Sequence, residues 1–261
     1  MRGTEDRKIE PFSTTALGQI EAPETTLDEI FKYLGNADKP CVVAIDEFQQ
    51  ISEYAEKNTE ALLRTKIQHC PNSKFIFAGS EKDMLINMFN SQDKPFYKSA
   101  TFMEIGCIDL GIYTEFAIRL FKEASKTLSA DFVKKAYESV DGVTLYLQFI
   151  MNELFQVVPI GETTTKELYD NALRILLNKN SFVYINTLSE ITVKQKELLY
   201  AMAKEGKTTE ITSGDFIKKY ELKSASSVQS ALKGLLSKKI VAKENGFYVI
   251  SDRLFRMWLA T

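Results

Sequence analysis

With 261 residues, 44% of them hydrophobic and 26% charged, the chain is long enough to bury a sizeable core in two compact domains. Its 33 basic and 35 acidic side chains leave a net charge of −2, which excludes a global basic field for nucleic acid and leaves only a local patch open. The three cysteines, Cys41, Cys70 and Cys107, are odd in number and widely spaced, which argues against a disulfide framework and for reduced thiols in a cytoplasm. The only histidine, His69, adjoins Cys70 but has no partners at ligand spacing, so the pair reads as a helix end and not as a metal site. No apolar run is long enough to span a bilayer, and the N-terminus is charged instead of signal-like.

Residues 1–24 are polar and irregular. Thr26 and Glu29 are spaced as a capping box ahead of a short amphipathic helix that Gly35 should stop. After Pro40 the apolar, β-branched run Cys41–Ile45 reads as a buried strand, and it ends abruptly in Asp46-Glu47. A helix over Asn58–His69 and a second strand over Lys74–Ser80 complete a βαβ crossover, whose right-handedness makes the strands parallel neighbours. The tips Asp46-Glu47 and Gly79-Ser80 therefore fall at one sheet edge, where open α/β sheets bind ligands.

Two readings of the acid pair are open. It is a solvated turn, or Asp46 holds a magnesium ion directly or through water while Glu47 polarises an attacking water. Ser80 likewise either reads a phosphate and positions water beside Glu47, or caps a helix over Glu81–Phe89, and one hydroxyl can do both. A polar loop through Asp93-Lys94-Pro95 leads to a third strand expected over Thr101–Ile105.

From Gly111 the pattern turns helical. Ile112, Phe116, Leu120 and Phe121 mark one apolar face, and Phe132, Val133 and Ala136 another. Asp141-Gly142 turns the chain into an apolar helix over Val143–Val158, and a further helix is expected over Thr165–Leu177, together a small helical lid. In the last portion Thr192 and Gln195 form a second capping box, a short helix spans Ser213–Tyr220, and Ser224 caps a helix whose Val228, Ala231, Leu232 and Leu235 form one stripe. Ile240–Ala242 and Phe247–Ile250 flank Asn245-Gly246, a strong hairpin signal. Three helices and a ribbon predict a winged helix-turn-helix. Lys218, Gln229, Lys233 and Lys238 are its candidate DNA contacts, set against the alternative of a solvated surface on a structural winged helix.

These segments together resemble the archaeal-type ATPase family, a branch of the AAA+-like P-loop ATPases. The resemblance runs through Val43–Gln49 as Walker B, Phe77–Ser80 as sensor 1, Pro95-Phe96-Tyr97, Asp141-Gly142-Val143, and Tyr248 with Ser251–Phe255 and Trp258-Leu259. It implies ATP and Mg2+ as ligands, Asp46 as the magnesium residue, Glu47 as the activator of water and Ser80 as the sensor. The implied fold is α/β: a partial parallel P-loop NTPase sheet over residues 1–108, a helical lid over 109–185 and a winged helix over 186–261.

The chain departs from the family pattern in two places. No Gly-x-x-x-x-Gly-Lys-[Ser/Thr] loop is present: Gly206-Lys207-Thr208 has Ala201 where the leading glycine belongs and lies among winged-helix elements. The sequence therefore reads as the truncated, C-terminal part of an ATP-hydrolysing switch, inactive alone, whose phosphate-loop strand would lie between sensor 1 and Thr101–Ile105. The remaining sheet is expected to close up by pairing those two, or to borrow a strand from around Phe12–Ile20. Where relatives often carry an arginine after sensor 1, this chain has Lys98-Ser99, so no arginine finger carries over. A DNA-binding regulator and a protein-interaction scaffold stand as the alternative functions.

Overall fold

The computed structural model describes residues 23–54 and 58–261, which divide into two compact units on either side of the Glu104–Ile105 bond. In the first, α1 (Pro23–Asn36) leads to β1 (Cys41–Ile45), a 3-10 turn (Phe48–Glu53), α2 (Thr59–Gln68), β2 (Ser73–Phe77) and α3 (Lys82–Asn90). The strands pair in parallel, with Cys41 opposite Ser73 and Ile45 opposite Phe77. They are half-covered, in contrast to the full burial expected of an apolar run. Val43, Ile45, Phe75 and Phe77 alternate inward, while Val42 and Ile76 on the other face are 69% and 53% exposed. The run is apolar on both faces, and among the described residues only one face has a layer packed on it.

Phe48 is fully buried and centres this unit. Its ring lies 4.3 Å from Phe77 and 5.1 Å from Phe96, and Phe89 joins the same aromatic cluster at 5.8 Å from Phe48. Cys70 is buried here with its thiol toward the Phe31 carbonyl, and all three cysteines are free.

Three local expectations are corrected. The first helix already includes Pro23, so Thr26 lies inside it and does not mark its start. The N-cap of α3 is Glu81, and the Ser80 hydroxyl is turned to another partner. No strand forms over residues 101–105, all of them exposed. A strand exists only by pairing, and among the described residues no ladder takes these backbone groups. Phe102 instead lies edge-on to Phe89 at 6.0 Å, and Glu104 pairs with Lys82 at 2.8 Å. The expected closing of the sheet is therefore not formed; the other donor considered, residues 12–20, lies outside the described residues.

The second unit is built on α4 (Leu110–Glu123), α5 (Ala130–Ser139), α6 (Thr144–Val157) and α7 (Lys166–Ser189), followed by α8 (Val193–Glu205), α9 (Gly214–Lys219), α10 (Ala225–Ser237), β3 (Val241–Glu244), β4 (Phe247–Ile250) and α11 (Arg253–Leu259). The last six elements are the expected winged helix. Thr192 and Gln195 make a reciprocal capping box, and the α10 stripe Val228, Ala231, Leu232 and Leu235 is buried. β3 and β4 are antiparallel across Asn245-Gly246, whose φ values of 50° and 86° suit the primed hairpin turn. Helix α7 continues twelve residues past the expected end at Leu177, because buried Tyr184 stacks on Phe255 at 5.0 Å and meets Trp258 at 5.6 Å. One continuous core runs through all of these helices. No helix among the described residues is long and apolar enough to cross a membrane.

A carboxylate ties the α5–α6 turn to the winged helix. Asp141, at φ 57°, meets Arg256 Nη1 at 2.9 Å, Arg253 Nε at 3.0 Å and Lys207 Nζ at 3.1 Å. The Arg253 Nε contact is close but off-line for a hydrogen bond, so its attraction to Asp141 is Coulombic. Arg253 is 2% exposed; its other nitrogens donate to the Ile250 and Ser251 carbonyls and to Glu244 Oε2 at 2.5 Å.

Burial raises the Tyr169 hydroxyl from 10.0 to about 12 and pushes Tyr184 up as well. Both phenols stay protonated more tightly in the fold than in the open chain. Their stabilisation is thus complete below pH 10 and, for Tyr169, is lost as pH climbs toward 12. Absorbance titration of phenolate should show these two ionising only together with loss of helical circular dichroism; a smooth ionisation near pH 10 in the folded state would refute the burial argument.

Candidate functional site

The parallel ladder continues past the strands and brings the two tips together. Ala78 N–H donates to the Ile45 carbonyl and Phe48 N–H to the Ala78 carbonyl, each at 2.9 Å. Asp46-Glu47 is thereby held beside Gly79-Ser80. Between the last strand residue and the anchored Phe48 the chain must reverse quickly, and it does so with Glu47 in the left-handed region, φ 48° and ψ 41°. That conformation costs a non-glycine residue about 1–2 kcal/mol, offset by the burial of Phe48 next to it.

The Glu47 carboxylate meets the side chains of Ser80 and Gln49. Ser80 Oγ lies 3.1 Å from Oε2 and 3.3 Å from Oε1, and Gln49 Nε2 donates to Oε2. Asp46 is exposed, and its Oδ1 accepts the Glu47 N–H at 2.9 Å. Its Oδ2 has no hydrogen bond among the described residues. Two hard carboxylates and a hydroxyl at the carboxyl end of parallel strands fit a magnesium ion that keeps several waters and takes its other ligands from phosphates. They do not form a closed cage: among the described residues no group of three or more His, Cys, Asp or Glu side chains is set to hold a metal.

The other candidates lie elsewhere. Lys98 is exposed, sits at φ 51° and carries its ammonium 5.1 Å from the Tyr97 ring. Lys207 is bound to Asp141, and Thr208 bridges Tyr248 of the wing, so Gly206-Lys207-Thr208 is a structural loop of the second unit. Lys218 is exposed on α9, Gln229 and Lys233 are exposed one turn apart on α10, and exposed Lys238 closes that helix. None of these three lysines has an ion pair among the described residues, whereas Lys219 is taken by Glu205 at 2.6 Å.

Comparison with known proteins adds two findings to this geometry. Residues 182–261 match a family described as a probable winged helix domain. The structure is similar to that of the Walker-type ATPase paby2304 of Pyrococcus abyssi, with a TM-score of 0.61 and 18% identity, over 92% of this chain and 68% of that one. This is an ATPase-like fold with a C-terminal winged helix. No curated protein matches the chain. At 18% identity the likeness bears on the fold alone, so the ATPase-like architecture rests on it and it assigns no role to Asp46, Glu47 or Ser80.

Sequence reasoning passes over Gln49. It belongs to the motif without a role there, although a polar residue directly after a core phenylalanine is a signal that it bonds to something.

Proposed function

We propose that this chain is the Walker B, sensor and winged-helix part of an ATP-binding, ATP-hydrolysing AAA+-like switch of the archaeal-type ATPase kind, with the helices α4–α7 as its lid. In this reading Asp46 holds Mg2+, Glu47 orients and deprotonates the attacking water, and Ser80 fixes Glu47 from the neighbouring strand. The metal, when bound, supplies charge neutralisation to the phosphates. The observation that carries the reading is the Ser80–Glu47 contact at 3.1 Å at the carboxyl end of a parallel pair. Nothing in the sequence supplies the lysine and amide cradle of a phosphate loop, so turnover by the chain alone is expected to be very slow or absent. A cytoplasmic location accords with the free thiols.

The test is Mg·ATP binding and turnover, measured for this chain and for a form extended through any coding sequence upstream of Met1. In the extended form Glu47→Gln should lower kcat by about 10²–10⁴-fold and leave nucleotide affinity intact. Equal turnover of Glu47→Gln and the parent would remove Glu47 from the reaction.

A second reading, a DNA-binding winged helix, is favoured by Lys218 on α9 and by Lys233 and Lys238 on and at the end of α10, all exposed and with no ion pair among the described residues. Its test is a gel shift over a salt series, in which each lysine-to-alanine change should reduce the log–log salt slope by about 1. Binding that ignores salt and these substitutions would leave the protein-interaction scaffold as the alternative.

A further inference from the structure

The Gln49 side chain is 5% exposed, yet it is an amide where a leucine or methionine would fill the same space without polar atoms. Its Nε2 donates to Glu47 Oε2, while its Oε1 is buried with no hydrogen-bond partner. Reversing the amide would set Oε1 against the Glu47 carboxylate, acceptor against acceptor, so the carboxylate dictates which way the group points. The fold leaves one acceptor unsatisfied in order to present a donor to Glu47.

The opposite strand is shaped around the same amide. A Cβ placed on Gly79 would lie 2.1 Å from Gln49 Oε1, 2.9 Å from Leu85 Cδ1 and 3.2 Å from Gln49 Cδ, so a side chain at 79 forces the amide to shift from this position. Gly79 directly precedes Ser80, the second donor to Glu47. With its backbone left-handed, Glu47 brings its carboxylate to the Ser80 hydroxyl and the Gln49 amide.

We propose that Gln49 is a positioning residue for Glu47: its amide and the Ser80 hydroxyl grip the carboxylate from two sides, and Gly79 is the space the amide needs. This rests on the reading of Glu47 as the group that activates water. The grip removes the rotamer freedom of an acid on a strained, half-buried turn and fixes its Oε2, so that the water-activating geometry exists before nucleotide arrives.

Side-chain NMR on this chain tests it. The Gln49 Nε2 protons should exchange slowly with solvent. Glu47→Ala should release them to fast exchange; a glutamine held only by core packing would keep its protection, and that result overturns the proposal. Gln49→Met, which keeps the packing, should move the Glu47 carboxyl carbon signal, whereas Gly79→Ala should move both signals toward those of exposed side chains. An unmoved Glu47 signal in a folded Gln49→Met variant likewise overturns it. Broadening by Mn2+·ATP, measured on the form extended upstream of Met1 that also serves the turnover test, separates this from the underlying reading. If Gln49 tracks Glu47 but Mn2+·ATP broadens neither Asp46 nor Glu47, the grip stands and the nucleotide reading falls. If both acids broaden while Gln49 ignores Glu47→Ala, the nucleotide reading stands and the grip falls.

Discussion

Asp141→Asn should destabilise the second unit by about 3–5 kcal/mol in urea or thermal unfolding, the loss expected when one partner of a buried ion pair is removed. Asparagine is the informative replacement, because it tolerates the left-handed φ of 57° and keeps the volume, so only the charge is lost. What remains is an arginine 2% exposed whose one other ion-pair partner among the described residues is Glu244, itself half in solvent. Lys207, with 47% of its side chain exposed, is screened, and Lys207→Ala should cost less than about 1 kcal/mol. Asp141→Ala adds backbone strain and should be worse than Asp141→Asn. A value for Asp141→Asn within about 1 kcal/mol of the parent would mean that water reaches Arg253 and the network is not a buried one.

That network also marks where sequence reasoning stops. The α5–α6 turn is legible from Asp141-Gly142, and the wing from Asn245-Gly246, because turn chemistry is local. So are the α10 stripe and the Thr192–Gln195 box. That Asp141 meets Arg256, 115 residues away, depends on how helices pack and carries no local signal. The strand expected over Thr101–Ile105 fails for a related reason: β-propensity describes what a segment can do when a neighbour offers a ladder, and among the described residues none does. Thr26-x-x-Glu29 has the pattern of a cap, but the helix already includes Pro23, so the pattern does not mark its start. At the candidate site, parallel pairing is enough to bring positions 47 and 80 to one edge, where their side chains meet. The Gln49 contact does not, because it depends on the backbone of Glu47 turning left-handed, and a glutamate gives no notice of that.

The left-handed turn is held by the residue after it, so emptying that position should be as damaging to the first unit as losing Asp141 is to the second. Phe48→Ala should destabilise the first unit by about 3–5 kcal/mol, the usual range for emptying a fully buried phenylalanine site. Here the ring is the shared neighbour of Phe77, Phe89 and Phe96, at 4.3, 5.8 and 5.1 Å, so the cavity opens at the centre of the cluster and no single neighbour can collapse into it. Stability of a small unit with a half-covered sheet cannot absorb such a loss. Hydrogen exchange should therefore find β1 and β2 amides losing most of their protection. Phe48→Leu keeps most of the volume and should cost about 1.5 kcal/mol or less, leaving the strands protected. The two variants also separate folding from site geometry. Phe48 N–H anchors the chain to the Ala78 carbonyl between Glu47 and Gln49, and leucine keeps that bond while loosening the ring contacts behind it. If the aromatic cluster is what holds Glu47 in its strained conformation, Phe48→Leu should weaken slow exchange of the Gln49 amide without unfolding the strands. Strand protection that survives Phe48→Ala would instead show that the sheet is held from a face other than the one this ring packs against.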